Sequence, residues 1–301
     1  MNPVPPPAQP QTSGDVTTGI GIMLVGMLLF AANDALAKWL VGGFLLGQVL
    51  VLRSLAGLAC VAPFLLRPGG APFRRMRRPW LQLVRALLSA LDVALFYRAL
   101  RDLPLADAIA IYMAAPIYVT AVSPFLLGER VGWRRWTAVG IGFAGVLLAL
   151  GPGLAGPSIG LVCAVIGSFA YALYLVATRA LAGTPATTLA ATQLAAALAV
   201  GAVMVAAQGW AAAGPIELLL LAMLGVGSLA GHVCVNRALR LAPASIVVPY
   251  QYTSIVWGVA FGAAFFGEVM DTRMAAGTAL IIGAGLFIFL REQQLRRHGL
   301  R

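Results

Sequence analysis

Apolar positions dominate this chain in long uninterrupted blocks, and the polar positions mark their ends. Ten blocks stand out, at residues 18–41, 47–66, 80–100, 105–127, 133–151, 158–181, 187–207, 216–236, 243–266 and 273–291. About 20 apolar residues wound as a helix cross the hydrocarbon core of a bilayer. The pattern therefore predicts an all-α integral membrane protein with ten transmembrane helices. The connections are short and leave no room for a soluble domain. Residues 1–17, rich in Pro and without Lys or Arg, are expected to be a disordered tail. They lack the basic start of a signal peptide. Residues 292–301 form a basic tail.

The blocks repeat. A shift of 139 residues without gaps aligns Arg98-Ala99-Leu100-Arg101 with Arg237-Ala238-Leu239-Arg240, and Pro104 with Pro243. The same shift aligns Gly128-Glu129 with Gly267-Glu268, Phe30-Ala31 with Phe169-Ala170, and Gly21 with Gly160. Two halves follow, 18–151 and 158–291, with five spans each. Five is odd, so the second half enters the membrane upside down relative to the first. Inverted repeats of this kind build secondary transporters, with the substrate site near the midplane between the halves.

Composition agrees. The chain is 60% hydrophobic and 10% charged, with a mean hydropathy of +0.90, whereas a soluble domain carries about 25% charged residues. The net charge of +11 does not point to nucleic acid, because most arginines lie in the connections and no binding motif accompanies them. Fifteen arginines lie in segments on the side of the N-terminus; Arg98, Arg101 and Arg273 lie on the other. The positive-inside rule then puts both termini in the cytoplasm, with the chain in the inner membrane. Cys60, Cys163 and Cys234 sit singly in apolar runs, which gives neither a disulfide framework nor a metal site.

The run RALRDLPLADAIAIYMAAPIYVTAVSPFLLGERVGWRRWTAVGIGFAGVLLAL, repeated as RALRLAPASIVVPYQYTSIVWGVAFGAAFFGEV…GTALIIGAGLFIF, resembles the EamA domain of the drug/metabolite transporter superfamily. The resemblance covers about residues 18–291 and implies ten helices in two inverted EamA repeats that move small metabolites. FAANDALAKWL (30–40), followed by LVLRSL, is most similar to the subgroup containing S-adenosylmethionine and riboflavin uptake proteins.

Charge inside hydrocarbon is costly and usually faces a cavity or a partner, which selects the candidate residues. Asp34 and Lys38, the only lysine, are four apart on one helix face; they either line the cavity or neutralise each other. Arg53 could pair with Asp34 or hold a carboxylate or phosphate of the substrate, and Arg85 reads as an anchor at the membrane interface. Asp92, deep in the third span, and His232, which the repeat places opposite Val93, are candidates for a proton step, with Asn236 one turn beyond as a partner for the histidine. Tyr112, Tyr174, Gln251, Tyr252 and Trp257 would furnish a pocket of aromatic and polar groups. Pro116 and Pro249 would break the fourth and ninth spans and free carbonyls. Glu129 and Glu268 read as interfacial carboxylates at helix ends.

These residues predict a secondary transporter for a small-molecule metabolite, proton-linked or exchange-driven, working as a monomer or homodimer with no cofactor or metal. The competing classes are a membrane enzyme and a channel. Neither H-E-x-x-H nor G-x-S-x-G occurs, and there is no filter-like loop.

Overall fold

The computed structural model describes residues 13–65, 78–127, 132–150, 158–181, 184–242 and 244–297. Residues 1–12, Glu129 and the loop arginines Arg67, Arg74, Arg75, Arg77 and Arg130 lie outside them. Among the described residues all regular structure is helical. The first half comprises α1 (Ser13–Gly43), α2 (Leu46–Leu65), α3 (Pro79–Asp102), α4 (Leu105–Tyr112), α5 (Ala115–Leu127) and α6 (Trp133–Leu150). The second comprises α7 (Ile159–Ala180), α8 (Ala186–Gln208), α9 (Pro215–Leu241), α10 (Ala244–Val247), a 3₁₀ turn (Val248–Tyr252), α11 (Thr253–Phe266) and α12 (Thr272–Arg297). The pieces α4–α5 and α10–α11 are the fourth and ninth spans, so ten spans form two five-span repeats. Helix α1 begins before the first apolar block, with Asp15 in its first turn, where a carboxylate suits the positive end of the helix dipole. Helix α12 continues through Arg297, so part of the expected basic tail is helical.

Seven described segments are long and apolar enough to cross a membrane on length and composition alone. The rest depart for visible reasons. Helix α3 carries Arg85 and Asp92 along its length, α6 opens on Arg134-Arg135, and the ninth span is interrupted.

The main helix pairings are kept when the halves are exchanged, whereas others, such as α1 against α3, are made in one half only. Helix α3 lies along α7 as α1 lies along α9, and α8 touches α3 as α2 touches α9. Helices α2 and α8, and α6 and α12, each pack against their own repeat mate, and the fourth and ninth spans meet through α4 and α11. Small residues let these helices approach closely. At Gly225 of α9 a Cβ would overlap the backbone carbonyl of Arg53 on α2.

Both broken spans break at the same register by different means. In the fourth, the Ala114 N–H bonds back three residues to Ile111 O at 3.1 Å, and α5 restarts with Pro116 in its first turn. Proline has no N–H, so the Tyr112 carbonyl loses its usual partner. In the ninth, Pro249 opens the 3₁₀ turn. Under the repeat, residues 109–113 correspond to 248–252, yet the two prolines do not correspond to each other.

Candidate functional site

Buried polar groups from α1, α2 and α3 gather beside α9. Arg53 is only 9% exposed. Its guanidinium lies over the Tyr97 ring, 5.2 Å from the centroid. Neither the Arg53 Nε–H nor the Tyr97 hydroxyl has a hydrogen-bond partner, and nor does the Asn33 Oδ1 facing Gly227 of α9. A buried donor without an acceptor costs about 1–3 kcal/mol, so such atoms mark a place that a ligand or water completes. The Arg53 charge acts on both Asp34 and Asp92, from α1 and α3. The site therefore offers one cation, two carboxyl groups and unsatisfied donors. Tyr97 and Asn33 carry no signal in the sequence; only the packing of α3 and α1 brings them to Arg53.

A ladder of rings leads away from this site. Phe96 meets Tyr112 edge to face at 4.8 Å, Tyr112 lies 6.2 Å from Tyr171, and Tyr171 stacks on Tyr174 at 5.9 Å. The Tyr112 hydroxyl donates to the Asp92 carbonyl oxygen at 3.1 Å, and Gly167 on α7 leaves room for it. Tyr174 belongs to a different cluster. Its ring carries the Arg85 guanidinium at 4.9 Å, and its hydroxyl donates to Gln193 Oε1 at 3.1 Å. Arg85 is fully buried rather than an interface anchor, because α7 and α8 supply its acceptors: Thr178 Oγ1 at 2.8 Å, the Leu189 carbonyl at 3.1 Å, Gln193 Oε1 at 3.3 Å and the Tyr174 hydroxyl at 3.4 Å.

Lys38 does not pair with Asp34. Its ammonium reaches Glu268 Oε1 at 2.8 Å and donates to the carbonyls of Leu100, at 3.2 Å, and Leu103. The geometry follows from Gly267, which ends α11 in the left-handed region (φ 64°) and turns Glu268 back into the bundle. A residue with a Cβ adopts that conformation only at a cost. Glu268 is thus no loose interfacial carboxylate. Its other oxygen accepts the Leu105 N–H at 2.7 Å, at the start of α4.

The second half contributes less than its residues promise. His232 Nδ1 lies 2.7 Å from the Ser228 carbonyl, which places the proton there, and the ring meets Phe30 of α1 edge to face at 5.0 Å. Asn236 and His232 are both exposed, and the hydrogen bond of the histidine goes to its own helix one turn back. The Tyr252 hydroxyl lies against Gly285 of α12. Trp257 packs with the Met23–Met27 cluster and stacks on Phe261, and its Nε1 is buried without a partner. Gln251 is half-buried within the 3₁₀ turn. The ninth-span cluster therefore divides between α1 and α12 instead of forming one pocket. No group of three or more His, Cys, Asp or Glu among the described residues could hold a metal ion.

The family model described as "EamA-like transporter family" matches residues 17–151 and 158–290, one repeat each. The chain belongs to this family. It is a multi-pass membrane protein of a transporter family. It is 29% identical to a riboflavin transporter of Rhizobium johnstonii over 78% of each chain. It is 24% identical to an S-adenosylmethionine uptake transporter of Rickettsia felis, over 93% of this chain and 96% of that one. These are the two kinds of protein that FAANDALAKWL resembles. A solved crystal structure, 22% identical, matches with a TM-score of 0.60 over 93% of this EamA chain and 99% of its own, which shows the shared fold.

Proposed function

We propose that the protein carries a small metabolite across the cytoplasmic membrane by alternating access, with the Arg53 site as its binding station. The observation that carries this reading is the buried Arg53–Tyr97 pair with unsatisfied donors, set among Asp34 and Asp92 between two inverted halves. Inverted repeats rock about such a site and expose it to each side in turn. The arginine bias sets the Lys38 end outside and both termini in the cytoplasm. A planar, bidentate guanidinium suits a carboxylate or phosphate on the substrate. Asp34 and Asp92 suit a cationic centre, and the Tyr112–Tyr171 ladder suits a flat ring or a cation. Relatives named for S-adenosylmethionine and riboflavin mark the first two compounds to try.

Transport is proton-linked or exchange-driven, with Asp92 or His232 in the coupling path. Purified protein in proteoliposomes should give saturable flux of one of these compounds, accelerated by substrate preloaded on the far side. Turnover of the compound by detergent-solubilised protein would identify an enzyme instead, and flux that never saturates would identify a channel. If Asp92→Asn and His232→Ala both retain full pH-dependent flux, neither residue couples the proton.

A further inference from the structure

We infer that Lys38 and Glu268 are the gate that closes the Lys38 end of the path between the halves. Lys38 belongs to the first half and Glu268 to the second, so their 2.8 Å contact ties the two bodies together. All three ammonium donors are used: on Glu268 Oε1 and on the carbonyls of Leu100 and Leu103, at and just past the C-terminal turn of α3. A cation is favoured there, and a carboxylate is favoured at the start of α4, where Glu268 takes the Leu105 N–H. One pair thus seals the α3–α4 connection against the α11–α12 connection. Phe266 flanks it, with its ring centroid 5.5 Å from the ammonium. The side chains are only 12% and 18% exposed.

The pair also stands where a gate must stand. On its outer side is an open cleft of about 710 Å³, lined by Lys38, Trp39, Phe44, Arg101 and Phe266 among others. Asp34 lies one helical turn deeper along α1 than Lys38, toward the Arg53 site. Arg101 holds the rim by donating to the Val41 and Phe44 carbonyls at 2.7 and 2.6 Å. Opening the passage from cleft to site requires the halves to part here, where the ion pair joins them alongside the two hydrogen bonds between the Gln48 amide and the Ala211 backbone, at 3.0 and 3.1 Å.

An alternative partner for Lys38 is already in place. Asp107 in the first turn of α4 feels the Lys38 charge, its Oδ1 is buried without a partner, and it belongs to the same half as Lys38. When the halves part, the lysine can stay neutralised within its own body. The pair is not duplicated by the repeat, since the mate of Lys38 is Ala177. The two ends of the path are therefore joined by different residues: Lys38 with Glu268 at one, and the buried Arg85 with Thr178 and Leu189 at the other.

The inference rests on the alternating-access reading, but its test needs no flux. A reporter cysteine replaces Asp34 in a background with Cys60→Ala, Cys163→Ala and Cys234→Ala, and a membrane-impermeant maleimide is applied to the Lys38 side of sealed vesicles. Glu268→Gln and Lys38→Met should each speed labelling at least about tenfold, because an ion pair restrains parting only while both charges are present. The exchanged pair Lys38→Glu with Glu268→Lys should bring the rate most of the way back. Amide hydrogen exchange at Leu105 should rise in Glu268→Gln and stay slow in Lys38→Met, which keeps the capping carboxylate. Labelling within about twofold of the parent in both single variants would overturn the gate. So would equal acceleration in the exchanged pair, and each variant's melting temperature identifies a protein that has merely unfolded. Absent flux with intact gating would remove the transporter reading alone.

Discussion

Replacing Arg85 by methionine is expected to loosen the joint between the halves without touching the Arg53 site. Arg85 is 2% exposed, and its guanidinium bridges α3 of the first half to α7 and α8 of the second. Methionine keeps most of the stem volume but makes none of the four hydrogen bonds. The two well-formed ones, at 2.8 and 3.1 Å, go to Thr178 and Leu189, and a hydrogen bond from a charged group contributes about 1.5–3 kcal/mol. The gross loss is then about 3–6 kcal/mol, and not having to desolvate a guanidinium returns a few. A net loss of about 2–3 kcal/mol should lower the melting temperature of detergent-solubilised protein by about 5–10 °C. Arg85→Lys should be no better than Arg85→Met, because an ammonium cannot serve Thr178 and Leu189 from one plane while stacked on Tyr174. A melting temperature within about 1 °C of the parent, combined with lost flux, would refute the reasoning and make Arg85 a transport residue.

Three further outcomes are expected. Arg53→Lys keeps the charge but loses the flat fork and the stack on Tyr97; the half-saturating substrate concentration in proteoliposomes should rise at least about tenfold, with Arg53→Gln worse. Gly225→Ala puts a methyl group against the Arg53 carbonyl, and overpacking of this kind costs about 1–3 kcal/mol, visible as a lower melting temperature with the helix content unchanged. Because Lys38 is paired with Glu268, the effects of Asp34→Asn and Lys38→Met on melting should add to within about 0.5 kcal/mol; a double variant better than Asp34→Asn alone would restore the pairing within α1.

The architecture was legible because both of its signals are linear. Span length reads directly from the apolar blocks, and one shift of 139 residues exposes the repeat and hence the inversion. Even the breaks in the fourth and ninth spans announce themselves through Pro116 and Pro249. The site was legible only in part. Depth in a span picked out Arg53, Asp34 and Asp92, since charge in hydrocarbon needs a reason. Partners were not legible, because they are set by which helices touch. Asp34 sits at the spacing that favours a Lys38 pair, yet Gly267 delivers Glu268 from the other half. Arg85 lies near a helix start, as an interface anchor does, yet α7 and α8 cover it. The repeated Gly-Glu was the available clue to Glu268; read together with the lone lysine, it marks where the halves meet.

The exchange of main helix pairings between the halves has a consequence for how many sites the molecule can hold. Two identical five-span chains docked the same way would form a two-fold dimer through self-complementary surfaces, and every binding group would then occur twice. Here the mates of Asp34, Lys38, Arg53 and Asp92 are Leu173, Ala177, Thr192 and Gly231, none of them charged. Joining the halves in one chain has freed the second copy from copying the first. On the transport mechanism proposed above, the doubled frame serves as the moving scaffold around a single station, with one stoichiometry in place of two.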